Sequence, residues 1–268
     1  MSAWAGGEFG PGRCVLAPNA GPMTLEGTNT WILRGELEGP SVVVDPGPLD
    51  ADHLDRLVQC AGEVQAVLLT HHHLDHSEAA RAFAGRVGCG VRALDPAYRL
   101  GGEGLDEGDV VVVGDLEIRV IATPGHTSDS LSFLVPRAGA VLTGDTVLGR
   151  GTTMVAHPDG ELGAYLGSLL RLRDLAQQHL VTSIWPGHGP VIEDALPVLE
   201  YYLAHRRERL EQVREVRRAL IGEPPRSHLS TQAMVSAIVE IVYADVDPVL
   251  WGAAELSVRA QVAYLDRD

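Results

Sequence analysis

The 268-residue chain contains no lysine: all 21 of its basic residues are arginine, set against 36 acidic residues for a formal charge of -15. That absence excludes Schiff-base catalysis and a phosphate-binding P-loop, both of which need a lysine amine. Cysteine is scarce. Cys14, Cys60 and Cys89 are odd in number, far apart and never in a CxxC pair, so they specify neither a disulfide framework nor a thiolate zinc site and fit a reducing cytoplasm. No run of about 18 consecutive apolar residues occurs, and the N-terminus carries Glu8 and several glycines where a signal peptide needs a basic start and an apolar stretch. Neither export nor a membrane partner is expected. Repeats and low-complexity tracts are missing, as is a domain-wide basic face for nucleic acid: residues 1–196 hold 12 Arg against 25 acidic residues, and residues 197–268 hold 9 against 11.

What is present is ordinary globular material, 45% hydrophobic and 21% charged, enough for one large domain with a small appendage. Short β-branched runs predict strands at residues 30–33, 42–44, 67–69, 110–113, 117–122, 131–135, 140–142 and 183–185. Helical periodicity predicts helices at 51–60, just after Ser77, at 162–176 and at 195–220. The segment Gly222-Glu223-Pro224-Pro225 is expected to stop the last of these, because proline lacks the amide donor. Two further apolar-periodic segments, 231–243 and 248–265, flank an acidic turn. The expected organisation is a mixed α/β catalytic domain over residues 1–196 and a C-terminal helical extension over 197–268.

The informative stretch is Thr70-His71-His72-His73-Leu74-Asp75-His76, an HxHxDH pattern between a strand and a helix. Residues two apart in a tight loop point the same way, so His71 and His73 can converge on one metal while Asp75 and His76 turn toward a second. Three more glycine-flanked segments follow strand-like runs and offer His126, Asp145 and His188. Taken singly each is weak; four together in this order are not.

With these segments the sequence resembles the metallo-β-lactamase-fold hydrolases over most of residues 24–196. The resemblance implies a four-layer αβ/βα sandwich with metals at one edge. It implies that His71, His73 and His126 hold a first ion, that Asp75, His76 and His188 hold a second, and that Asp145 bridges both. Two zinc ions per chain are the implied cofactor; histidine and carboxylate ligands also accept iron or manganese. Asp45 matches a position that supports the metal loop from behind, although a polar strand end would look the same. His53, His72, His157, His179, His205 and His228 are read as non-ligands. Where relatives often carry glycine after the motif, this chain has Ser77-Glu78-Ala79-Ala80, good helix formers.

Two ions about 3.5 to 4 Å apart acidify a shared water from about 15.7 toward 7 and polarise a carbonyl or phosphoryl oxygen, so the implied reaction is hydrolysis, with Asp75 or Asp145 accepting the proton. Within the superfamily, Thr28-Asn29-Thr30, the loop Gly149 to Thr153, Pro186 to Gly189 and the long helix resemble a branch with a C-terminal helical or winged-helix extension. That branch includes thioester hydrolases and single-strand endoribonucleases. Here the chain offers no strand pair after its last helix to form a wing. A bridging Asp145 argues against lactam cleavage, and the 42 residues between Asp145 and His188 are too few for an inserted nucleic-acid cap. Arg150 could hold an anionic substrate group or simply be an exposed loop arginine.

The one basic stretch, Arg206 to Arg218, carries six arginines against three glutamates and reads either as a phosphate track or as a solvated, ion-paired helix face. A small-molecule ester or thioester is therefore the expected substrate and single-stranded RNA the alternative partner. β-Lactamase activity and a di-iron redox role rank below both. The apolar helix faces are expected to pack on the main domain or on a second copy in a homo-oligomer.

Overall fold

The structure, a computed structural model, describes residues 4–35, 39–222 and 230–267. The Glu223-Pro224-Pro225 stop and His228 lie outside the described residues. Strands β1 (Gly7–Phe9), β2 (Gly12–Leu16), β3 (Asn29–Arg34), β4 (Ser41–Val44), β5 (Val64–Leu68) and β6 (Gly90–Arg92) form a six-stranded sheet in sequence order, antiparallel up to β4 and parallel from β4 to β6. A second sheet runs in the order β11-β10-β9-β8-β7, from β7 (Val110–Val113), β8 (Leu116–Ala122), β9 (Leu131–Val135), β10 (Ala140–Gly144) and β11 (Ser183–Pro186).

The two-residue side-chain period of a strand sorts the core into layers. Trp31, Leu33, Val42, Val44 and Leu68 of the first sheet meet Ile118, Val120, Phe133, Leu142 and Trp185 of the second. The alternate residues Ile32, Val43 and Val67 face outward onto helices α1 (Ala51–Ala61) and α3 (Ala80–Val87). Those of the second sheet, Leu134, Val141 and Ile184, face α4 (Leu162–Gln177) and the first half of α5 (Ala195–Ile221). Helix, sheet, sheet, helix is the four-layer sandwich the sequence resemblance implies.

Helix α5 is long, 27 residues or about 40 Å. Leu199, Tyr202 and Leu203 belong to the layer over the second sheet, while Val213 belongs to a separate cluster with Val235, Ile238 and Val239 of α6 (Thr231–Val242) and Val258 and Val262 of α7 (Trp251–Leu265). A single helix therefore carries the C-terminal unit, and the expected boundary at residue 196 falls inside its first turn. Among the described residues no strand follows β11, and no helix is long and apolar enough to cross a membrane. Strands β1, β2 and β6 are additions to the sequence-based assignment; they are short and begin at Gly7, Gly12 and Gly90.

Candidate metal centre

All seven expected ligands come together where strand ends of the two sheets meet. The HxHxDH segment leaves β5 as a loop and enters the one-turn helix α2 (Leu74–Ser77). Asp45, just past β4, ties that loop down: Oδ1 accepts from the Thr70 amide at 2.8 Å, and Oδ2 accepts from Thr70 Oγ1 at 2.6 Å and from His76 Nδ1 at 2.9 Å. It is 2% exposed and sits at φ 51°, a left-handed conformation that Asp tolerates better than most residues. Asp45 thus joins the end of β4 to the loop through three hydrogen bonds.

The second sheet supplies the other three ligands from the ends of β8, β10 and β11. Gly187 precedes His188 in the only form that fits: a Cβ there would lie 2.7 Å from Asp145 Oδ1 and 2.8 Å from the His76 ring. Asn29 holds this loop by donating to the carbonyls of Pro186 at 3.0 Å and Gly189 at 2.8 Å while accepting from Trp4 Nε1 at 2.8 Å and Cys14 Sγ at 3.3 Å. Thr28 bridges to His188, and Thr30 Oγ1 donates to the Asp45 carbonyl. The Thr28-Asn29-Thr30 motif is therefore scaffolding for the ligand loops.

The donor atoms fall into three overlapping groups, His71/His73/His126, His71/His76/Asp145 and Asp75/His76/His188, each within 4.8 Å. Within the first, His73 Nδ1 lies 3.1 Å from both His71 Nε2 and His126 Nε2. In the last, His188 Nε2 lies 3.2 Å from His76 Nε2 and 3.1 Å from Asp75 Oδ2. Asp145 spans the two: Oδ1 is 3.4 Å from His76 Nε2 and His188 Nε2, and Oδ2 is 3.7 Å from His126 Nε2.

Whether these residues fit a cation is decided by their outer nitrogens. His126 Nδ1 faces the Met154 carbonyl at 2.8 Å and His188 Nδ1 the Gly27 carbonyl at 3.1 Å; a carbonyl only accepts, so both Nδ1 atoms carry the proton. His76 Nδ1 donates to Asp45. Thr70 Oγ1 gives its own proton to Asp45 and so accepts from His71 Nδ1 at 3.0 Å. Four Nε2 lone pairs consequently converge, where only protons or a cation can hold them together. The residues fit divalent metal.

Charge tells the same story. Burial and the neighbouring histidines hold His71 well below the ordinary imidazole value, and burial with His126 takes His73 down to about 4. Burial opposes protonation of His76 and His188 too, but Asp145 outweighs it, pushing His76 well above the usual value and His188 up to about 9. Burial would raise Asp145; His188 and His76 overcome it and keep the carboxyl well below the carboxylate range. The Asp145 side of the pocket favours positive charge, and the other side keeps His71 and His73 neutral, the form in which imidazole binds metal.

Arg150 pairs with Glu26 at 2.8 Å on the rim. His72, read as a non-ligand, turns to Asp129 at 2.8 Å. His53 is fully buried against Thr30. The solvated-face expectation for residues 206–218 holds only in part: Arg214 pairs with Glu211 and Arg217 with Asp266, but Arg206 is 7% exposed and donates to the Thr153 carbonyl. Its position in the apolar stripe Leu199, Leu203, Leu210 and Val213, at steps of three and four, is the signal that marks it as inward-facing.

A cavity of about 380 Å³ opens from His126 and Asp145 and runs between the 148–154 loop, α5 and the start of α7. A sequence profile of the metallo-beta-lactamase superfamily matches residues 23–183. The chain is 29% identical over 276 residues to a beta-lactamase-like protein 2 homolog of Drosophila melanogaster, covering 95% of this chain and 87% of that one. It is 33% identical over 207 residues to an atrochrysone carboxyl ACP thioesterase of Aspergillus fumigatus, covering 74% of this chain and 62% of that one. A crystal structure of a metallo-beta-lactamase family protein from Thermus thermophilus matches the fold with TM-score 0.73 at 22% identity, over 96% of this chain and 93% of that one.

Proposed function

Because the chain belongs to the metallo-beta-lactamase superfamily, we propose that it is a metal-dependent hydrolase of ester-like or thioester bonds in a small-molecule substrate, working with two zinc, iron or manganese ions. The cavity beside the donor cluster carries this assignment. Its walls are largely apolar, with Leu148, Met154, Val246 and Leu250 among them, and its volume lies in the range of small-molecule sites. The similarity to a protein named as an acyl-carrier thioesterase points the same way.

His71, His73 and His126 would hold one ion, Asp75, His76 and His188 the other, and Asp145 would bridge them. When bound, such ions acidify water and polarise the oxygen of the scissile carbonyl. Asp145, 11% exposed at its side chain, is committed to its histidines, so its part is to hold charge. Asp75, 30% exposed at its side chain, is the carboxylate placed to pass a proton to solvent. The 148–154 loop and α5 form the wall of the cavity beyond the donor cluster.

Single-stranded RNA fits less well. It needs an exposed basic track, whereas Arg206 and Arg209 turn toward the cavity and Arg214 and Arg217 are ion-paired. The test is metal content by elemental analysis, with turnover of a generic thioester, a short single-stranded RNA and a chromogenic β-lactam by loaded and chelated protein. Thioester cleavage that vanishes on chelation is the expected result. Chelation-sensitive RNA cleavage that weakens with salt, with the thioester inert, would overturn it.

A further inference from the structure

The cavity beside the donor cluster contains a charge that the chain does not neutralise. Arg206 is 7% exposed, its guanidinium carbon lies 5.2 Å from the centre of the Tyr165 ring, and its Nη2 donates to the Thr153 carbonyl. Its Nε is buried with no hydrogen-bond partner. Arg150, Arg214 and Arg217 each have a carboxylate partner; among the described residues Arg206 has none. His205, one residue earlier, lines the same cavity with its Nδ1 also buried and unpartnered. Burying a cation without an anion is costly.

A guanidinium that lines a cavity, held by the Thr153 carbonyl and the Tyr165 side chain with no carboxylate beside it, is a receptor for carboxylate oxygens. We propose that the cavity is a subsite for an acidic acyl group, an apolar chain ending in a carboxylate, and that Arg206 is the residue that selects it. The assignment rests on the ester-hydrolase function above. The substrate's scissile carbonyl lies at the metal ligands, its methylenes run along Leu148, Met154 and Leu250, and its terminal carboxylate meets Arg206. A methyl-terminated chain of the same length leaves the guanidinium unpaired.

The experiment compares N-acetylcysteamine thioesters with acyl chains of four to eight carbons, each ending in a carboxylate or in a methyl group. The readout is the ratio of kcat/KM within each pair. Wild-type protein is expected to favour the carboxylate by about 10- to 100-fold at one chain length, and Arg206→Met to bring that ratio to about one. Ala253→Asp places a negative charge on the α7 side of the same cavity and leaves Arg206 intact; it is expected to depress turnover of the carboxylate-terminated member alone. No preference at any length in the wild type overturns the proposal, as does a preference that survives in both variants. Should Arg206→Met not fold, Ala253→Asp decides alone. If neither class of thioester is turned over, the hydrolase assignment has failed separately, and calorimetry with monomethyl adipate and metal-loaded protein settles the subsite: weaker binding by about tenfold in Ala253→Asp supports it, and equal affinity overturns it.

Discussion

Asn29 touches none of the seven donor side chains, yet replacing it should cost the proposed two-ion site one of its ions. Its amide nitrogen donates to the carbonyls of Pro186 and Gly189, which flank Gly187 and His188, and its oxygen accepts from Trp4 and Cys14. Asn29→Ala deletes all four of these hydrogen bonds, of which the two that hold the loop are worth about 1 kcal/mol each, and leaves the Gly189 carbonyl without its side-chain donor while Pro186 keeps Trp31 Nε1, for a loss of roughly 3 kcal/mol. The larger consequence is geometric: His188 Nε2 loses the anchor that holds it 3.1 Å from Asp75 and 3.2 Å from His76. Urea unfolding and elemental analysis on the same preparation should therefore show a lower midpoint and about one metal ion fewer per chain. Asn29→Asp, which faces the two carbonyls with an oxygen, should be at least as damaging. If Asn29→Ala unfolds within about 0.5 kcal/mol of wild type and keeps its full metal content, the anchoring role assigned to Asn29 is wrong.

Three further outcomes are expected. Asp145→Asn keeps the shape but removes the charge that both ligand groups share, so metal content should fall to one ion or none and hydrolysis by more than about 100-fold, checked by elemental analysis and kcat/KM. Gly187→Ala forces a methyl to 2.7 Å from Asp145 Oδ1, and should lose hydrolytic rate and metal while the far-ultraviolet circular dichroism of the fold persists. His53, held down to about 4 by burial and by Arg56, stays neutral in the folded chain while the unfolded chain protonates near 6.5. Stability is then unaffected above pH 6.5 and falls by up to about 3 kcal/mol as pH drops toward 4; His53→Gln should flatten that part of the profile in denaturant titrations, and an unchanged slope would count against it.

The donor cluster was legible in the sequence because one segment after an apolar strand carries four candidates, His71, His73, Asp75 and His76, while His126, Asp145 and His188 each follow a strand-like run and stand beside glycine, where a side chain can reach a sheet edge. The layers were legible for a related reason, since Trp31, Leu33, Val42 and Val44 alternate with residues of the opposite face. The outer partners of the histidines were not. Met154 and Gly27 act through backbone carbonyls, which leave no trace in residue type, and their contacts span 28 and 161 residues. Asn29 was noticed as part of a motif, but only the fold shows the two carbonyls it clamps. Arg206 was hidden by its neighbours, because Arg207, Arg209 and Glu211 make the local pattern look like a charged surface. His53 was set aside as an ordinary histidine, and it proves to be a buried one.

A helix has a phase as well as a length. Since α5 carries Arg206 on one end of its inner face and Val213 on the other, and α6 and α7 hang from the second half, the cavity and the C-terminal unit are locked to one screw. Removing a single residue between Leu210 and Val213 would turn everything beyond by about 100° and draw it back by about 1.5 Å, carrying Tyr243, Leu250 and Ala254 out of the cavity wall. Descendants of this chain can therefore change the room for substrate by exchanging small residues such as Ala253, Ala254 and Ser257 for larger ones, but not by lengthening or shortening α5.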